Sequence, residues 1–358
     1  MQIPKLKIGT KTAPVPIIQG GMGVGISLSS LAGAVARAGG VGVISGVEIG
    51  FNWPTYADDK LTANREALRW HIRRAKETAR GGPIGVNIMV AVSDYEAMVA
   101  AAVEEKADII FCGAGLPLSL PALVAGSDVC IAPIISSARA AVLITKQWLS
   151  KYDRLPDAVV VEGPLAGGHL GFSREQLADT SGKYSLETIL SEVVAALQQL
   201  LGTRAQDVPI VAGGGLYTGY DIARMLRLGA SGVQMSTRFV ATIECDAPPQ
   251  FKAAYVASRP EDIVIIDSPV GMPGRAIRNA FLEEVKLGER RPDYCLTNCL
   301  KPCIPSAVPY CIAAALINSA EGRMQDGFAF CGSEAHRIGE ITTVGALLAE
   351  LMAELEQA

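Results

Sequence analysis

Along the first 240 or so positions, short runs of consecutive apolar residues alternate with longer stretches of helical spacing. The runs are VPIIQ (15–19), VGVIS (41–45), IGVNIMV (84–90), DIIFC (108–112), VCIAPII (129–135), AVVVE (158–162), PIVA (209–212) and GVQMS (232–236). They are rich in β-branched residues and show no in–out alternation, the mark of strands covered on both faces. Helix signals fall between them. Ser93 and Glu96 form an S-x-x-E capping box. Thr218 is placed to cap the helix holding DIARMLRL, and Gly229 fits the C′ position after it.

Eight strand–helix repeats within about 245 residues predict an α/β fold of TIM type, a (β/α)8 barrel, with an open doubly wound sheet as the competitor. The rhythm breaks after CDAPPQFKAAYVASRPED begins at position 245. The expected organisation is therefore a barrel over 1–245 and a smaller appended region over 246–330. A C-terminal segment, 331–358, follows, and its helix TTVGALLAELMAELEQA packs back on the barrel. The segment GGMGVGIS (20–27) looks like a dinucleotide fingerprint, but neither register completes G-x-G-x-x-G. The second strand also ends in Ser45–Gly46 without an acidic residue for a ribose.

Composition narrows the class. The 358 residues are 49% hydrophobic and 19% charged, with 37 glycines and a net charge of −4. That balance lacks the basic excess of nucleic-acid binders. No apolar run reaches the ~18 residues of a membrane span, and MQIPKLKIGT has no signal-type stretch. A cytoplasmic enzyme with neither nucleic acid nor membrane as partner is expected. The oligomeric state is left open, a homodimer included.

In such a barrel, chemistry gathers at the C-terminal ends of the strands. Glycines mark those ends: Gly20, Gly21 and Gly23 around Met22, then GPLAGGHLG after strand six, then Gly213–Gly214–Gly215 after strand seven. Strand eight ends in Ser236–Thr237. Paired glycine and hydroxyl loops after strands seven and eight suit a phosphate, whereas either loop alone makes only tight turns. Asn87 lies inside the third strand, where its amide needs either a backbone partner or the polar edge of a ligand. Glu162 ends strand six, with an ion pair to a nearby Arg as its plain alternative. Gln234 in strand eight joins the cofactor-binding set.

His169 is one of three histidines. Gly167, Gly168 and Gly171 strip its loop of competing side chains. Imidazole titrates near neutrality, so His169 suits a general acid or base acting beside a redox cofactor. His71 and His336 read as structural or surface residues.

The segments VPIIQGGMG, GVNIM, VEGPLAGGHLG, IVAGGGL and GVQMSTRF, in that order, resemble the nitronate monooxygenase (2-nitropropane dioxygenase-like) family, which includes flavin-dependent enoyl-ACP reductases. The resemblance covers about residues 13–240. It implies a barrel holding one FMN, with Gly20, Gly21 and Met22 along the isoalloxazine and Asn87 at its edge. Gly167 and Gly168 would border the flavin beside His169, and Gly213, Gly214, Gly215, Ser236 and Thr237 would hold the phosphate. In the monooxygenase branch an alkyl nitronate reduces the flavin and O2 completes oxidative denitrification. His169 there takes the α-proton of a nitroalkane or orients the nitro group. In the reductase branch NAD(P)H reduces the flavin and an enoyl thioester or a quinone accepts the electrons. A barrel that binds a phosphate ligand without redox chemistry is the alternative of another class.

Two stretches depart from the simplest family pattern. The loop GVEIGFNWPTYADDK (46–60) is long enough to form part of a lid. Cys295, Cys299, Cys303 and Cys311 crowd together, the first three at the spacing of one helix face interrupted by Pro302. That spacing matches neither zinc pairs nor common ferredoxin runs. No metal is assigned; Zn or Fe–S at these cysteines is the alternative to reduced thiols.

Overall fold

The computed structural model of the chain describes residues 3–292, 295, 297–301 and 303–358. The chain opens with a hairpin, β1 (Leu6–Ile8) and β2 (Lys11–Ala13). All eight apolar runs then form strands: β3 (Ile17–Gln19), β4 (Gly42–Ser45), β5 (Ile84–Met89), β6 (Ile109–Gly113), β7 (Cys130–Ile135), β8 (Val159–Glu162), β10 (Ile210–Gly213) and β11 (Gly232–Met235). They pair in parallel in the order β3-β11-β10-β8-β7-β6-β5-β4. A parallel bridge between Ile18 and Val41 joins the two ends, so the sheet closes on itself. The buried Gln19 side chain adds to this seam, accepting from the Val43 N–H at 3.1 Å and donating to the Val43 carbonyl at 3.2 Å. The fold is the expected (β/α)8 barrel.

Alternate residues of each strand bury against different layers, which explains the unbroken apolar runs. Ile18, Val43, Phe111, Ala132, Val160 and Val211 fill the barrel interior, joined from below by Leu6, Ile8 and Ala13 of the hairpin. Ile17, Ile44, Val86, Ile110, Val161 and Val233 turn outward under the helices. Each such buried Val or Ile contributes roughly 1.5–3 kcal/mol. The floor is thus plugged, and the opposite end carries the loops.

Helix caps follow the sequence in one case and not the other. Thr218 caps the helix Gly219–Arg227 reciprocally with Asp221, and Gly229 follows it at φ 99°. The Ser93–Glu96 box does not form. The helix Tyr95–Glu104 begins one residue later than that box requires, with Asp94 at the N-cap. The Ser93 N–H is instead engaged by the Cys299 carbonyl at 3.0 Å, which pulls it out of capping position.

The segment after residue 245 is built into the barrel. The Asp246 carboxylate accepts from the Leu28, Ser30 and Leu31 N–H groups, capping the helix Ser29–Arg37 from far along the chain. Strands β12 (Ile263–Asp267) and β13 (Pro273–Ile277) form an antiparallel sheet with β9 (Gly168–His169). The final helix, Val344–Gln357, packs on Gly219–Arg227, where Glu354 accepts the Gly219 N–H at 2.6 Å.

Candidate active site

At the open end, strand register sets polar groups side by side. Gly213 pairs with Glu162 of β8 on one flank and Gln234 of β11 on the other. Across the barrel, Ser45 pairs with Asn87. Together these ends border a cavity of about 260 Å³, lined on its other side by Val270, Phe330 and the helix Ile312–Ala320. Of the residues expected at the site, Gly21, Met22, Asn87, Glu162, Gly167, Gly168, His169, Gly214, Gly215, Gln234, Ser236 and Thr237 line it. Gly20 and Gly213 do not. They stand one layer back, Gly20 beside Ser236 and Gly213 against the Gln234 backbone.

The cavity collects polar groups without protein partners. The side-chain amides of Asn87 and Gln234 and the Ser236 hydroxyl hydrogen-bond to no protein group among the described residues, so the backbone bond considered for Asn87 is absent. Glu162 pairs with no basic side chain among the described residues either, against the ion pair considered for it. Its carboxyl is enclosed by protein except toward the cavity, and burial pushes its pKa up to about 7. A carboxyl at that value is a proton carrier near neutrality.

His169 is held from behind. In the β9–β13 ladder, Gly168 pairs with Arg275 and His169 with Gly274. The imidazole Nε2 lies 2.7 Å from Ser268 Oγ, and the Phe330 ring meets it edge-on, centroids 4.9 Å apart at 63°. Burial lowers the imidazole pKa to about 4, so the ring is neutral at pH 7. The buried Arg275 guanidinium donates to the Pro164 carbonyl at 2.8 Å and to the Ala166 carbonyl, pinning the loop that leads to His169.

The late loops form a cradle. Gly214 sits at φ 101°, a conformation closed to most side chains, and the N–H groups of Gly214 and Gly215 donate to no protein acceptor among the described residues. The Thr237 hydroxyl accepts the Gly332 N–H at 2.9 Å, tying this cradle to the end of the chain.

Ser268, Arg275, Phe330 and Gly332 had no signal in the sequence: each is an isolated residue in a stretch without periodicity. The 46–60 loop, expected as part of a lid, contributes Val47 and Glu48 to the cavity wall. Glu48, buried and lining the cavity, is bound by the Tyr56 hydroxyl and by Lys60 at 3.1 Å. The cysteines lie on no helix before residue 312. Cys295 is exposed, Cys299 is buried and lines the cavity, and Cys303 and Cys311 are half-buried. All four are free thiols, Pro302 lies outside the described residues, and no three metal-binding side chains are grouped among the described residues. His71 is buried against Ser29 at 3.0 Å, a structural contact. No helix is long and apolar enough to cross a membrane among the described residues.

Relatives share this architecture. The structure of FabK from Thermotoga maritima matches 96% of this chain and 94% of its own at 25% identity and a TM-score of 0.72. Nitroalkane oxidase from Streptomyces ansochromogenes matches at 23% identity and a TM-score of 0.69, covering 97% of each chain. A 5-hydroxy-7a-methyl-1-oxo-octahydro-1H-indene-4-carboxyl-CoA dehydrogenase of Rhodococcus jostii is 27% identical over 76% of this chain, which spans 65% of that relative's length. A probable nitronate monooxygenase of Staphylococcus saprophyticus is 30% identical over 40% of this chain and 38% of its own. All those whose names state a reaction are named for redox reactions. The nitronate monooxygenase profile matches residues 5–98 and 60–354, taking in both the barrel and the strands behind His169: the chain belongs to the nitronate monooxygenase family.

Proposed function

We propose that the protein is an FMN-dependent oxidoreductase that oxidises alkyl nitronates with O2. The observation that carries this reading is the set of unpaired polar groups around an otherwise apolar cavity. Two free amides at Gly214 and Gly215 and the free Ser236 hydroxyl suit a phosphate. Asn87 and Gln234 have amides to spare for the edge of a flavin ring, and Gly21 and Met22 supply a smooth face beside them. Bound there, FMN would supply the electron acceptor. The chain's own residues would do the rest: His169 would meet the substrate's nitro oxygens, and Phe330 and Val270 would exclude water above it.

A carrier protein is acidic, so an enoyl-ACP substrate calls for a basic surface near the cavity, and HIRRAKETAR, residues 71–80, is the basic stretch at hand. Arg69, just ahead of it, and Arg73 are spoken for by Glu104 and Glu105, which neutralises much of that face. A second reading, reduction of an enoyl thioester, draws on a different feature. Past His169 and Glu162 a side opening runs out between Leu116, Ser136 and Met272, room that a small nitronate leaves empty.

Anaerobic stopped-flow mixing of the flavin-loaded protein with ethylnitronate, NADH or NADPH separates these readings. Bleaching of the flavin band by the nitronate alone is expected. Bleaching by a pyridine nucleotide alone replaces the proposal with the reductase or quinone reading, and a protein that takes up no FMN leaves the non-redox barrel.

A further inference from the structure

The cavity wall is lopsided in charge. Its carboxyl groups are Glu48 and Glu162, and no Lys or Arg is among the described residues that line it. The buried Arg275 guanidinium is engaged by carbonyls of the loop ahead of His169. Glu162 is partly neutral near pH 7 because burial lifts its pKa. Glu48 instead sits in an ion pair. It is 4% exposed, and its backbone lies at φ 45°, a left-handed conformation that such a side chain keeps only where its surroundings hold it. The Tyr56 hydroxyl donates to one carboxylate oxygen and Lys60 Nζ to the other at 3.1 Å. Neither Tyr56 nor Lys60 lines the cavity, and the Lys60 side chain keeps 18% of its surface in solvent against 3% for Glu48. Both donors thus approach from outside, and the negative member of the pair is the one on the cavity wall.

We propose that Glu48 acts as a charge filter, admitting nitronates with uncharged tails and rejecting those whose tail carries a carboxylate. The inference rests on the proposed reaction. With Asn87 and Gln234 engaged by the flavin edge and His169 by the nitro group, the wall that contains Glu48 is left to the substrate's tail. A carboxylate brought there gives up water, meets a like charge and finds no guanidinium or ammonium on the wall to pair with. Lys60 offsets only part of that repulsion, because it stands behind the carboxylate it serves. An amide or alkyl tail meets no such repulsion, and Val24, Ile26 and Leu316 offer it apolar contact. Specificity of this kind comes from a group that repels the wrong ligand rather than one that grips the right one.

3-Nitropropanoate and 3-nitropropanamide share a shape and differ by one charge, so calorimetric titration of the flavin-loaded protein with each reads the filter by binding alone. The amide is expected to bind the wild type at least about tenfold more tightly. Glu48→Gln keeps the shape of the side chain and should bring the two compounds within roughly threefold of each other. Lys60→Met strips Glu48 of its counter-ion and should widen the gap. A carboxylate that binds the wild type as tightly as the amide overturns the proposal, as does a gap that Glu48→Gln leaves in place or the binding of neither compound. Should Glu48→Gln not fold, a gap unchanged or narrowed in Lys60→Met overturns it instead. Anaerobic flavin reduction by ethylnitronate, whose tail bears no charge, reads the reaction separately. Its absence would count against nitronate oxidation, whereas the ratio of the two affinities would still report on Glu48.

Discussion

Gly167 is pressed against the Cys331 backbone so closely that a Cβ on it would lie 2.5 Å from the Cys331 carbonyl carbon. The neighbour is main chain, which cannot swing aside as a side chain would. Gly167→Ala is therefore expected to destabilise the fold by about 1–3 kcal/mol and to displace the His169 loop. Urea unfolding measures the first effect, and a shift in the His169 imidazole resonances reports the second. An unchanged midpoint would mean that the two segments are free to separate.

Gly214 separates charge from strain. Its φ of 101° disfavours any side chain, so Gly214→Asn and Gly214→Asp share the conformational penalty and differ in charge. Gly214→Asp is expected to purify without flavin, its carboxylate repelling the phosphate, whereas Gly214→Asn should retain part of it. Equal flavin content in the two would remove the phosphate from this loop.

Glu162 sets a pH dependence with a definite sign. Its pKa rises from the ordinary 4.5 to about 7 through burial. Below pH 4.5 the carboxyl is neutral folded or unfolded and costs nothing. Between 4.5 and 7 only the unfolded chain ionises freely, so stability falls as pH rises and levels off above 7. Glu162→Gln should match the wild type near pH 4 and exceed it by at most about 3 kcal/mol at pH 8. Unfolding midpoints across that range check it, and an advantage that grows on acidification would contradict it.

Arg275 is 7% exposed and forms no ion pair with an acidic side chain among the described residues. Its substitution by Met keeps the bulk but leaves the Pro164 and Ala166 carbonyls unpaired, a loss of about 2–4 kcal/mol. Amide exchange across 164–171 should quicken more than in the barrel strands. Uniform exchange would show that the β9–β13 ladder alone holds the loop.

The barrel was legible because its strands bury both faces, and a run such as AVVVE admits little else. The cavity-lining residues of those strands were legible for the same reason: once β8 and β11 are placed, Glu162 and Gln234 fall at their ends. Ser268 and Phe330 were not, because they reach His169 through long-range pairings such as Gly274 with His169 that leave no local pattern. The Ser93 cap failed in the same way, a local preference overruled by the distant Cys299 carbonyl.

The supports of His169 come late in the chain. The barrel closes with β11, which ends at Met235, but Ser268, Arg275 and Phe330 all follow it. During synthesis from the N-terminus, the eight strands can therefore be assembled while the histidine loop still lacks its backing. Competence for chemistry should lag behind acquisition of the barrel, by the time the ribosome takes to add the final hundred or so residues at about 5–20 per second. A nascent chain stalled short of Phe330 would already be folded in outline and yet unable to turn over.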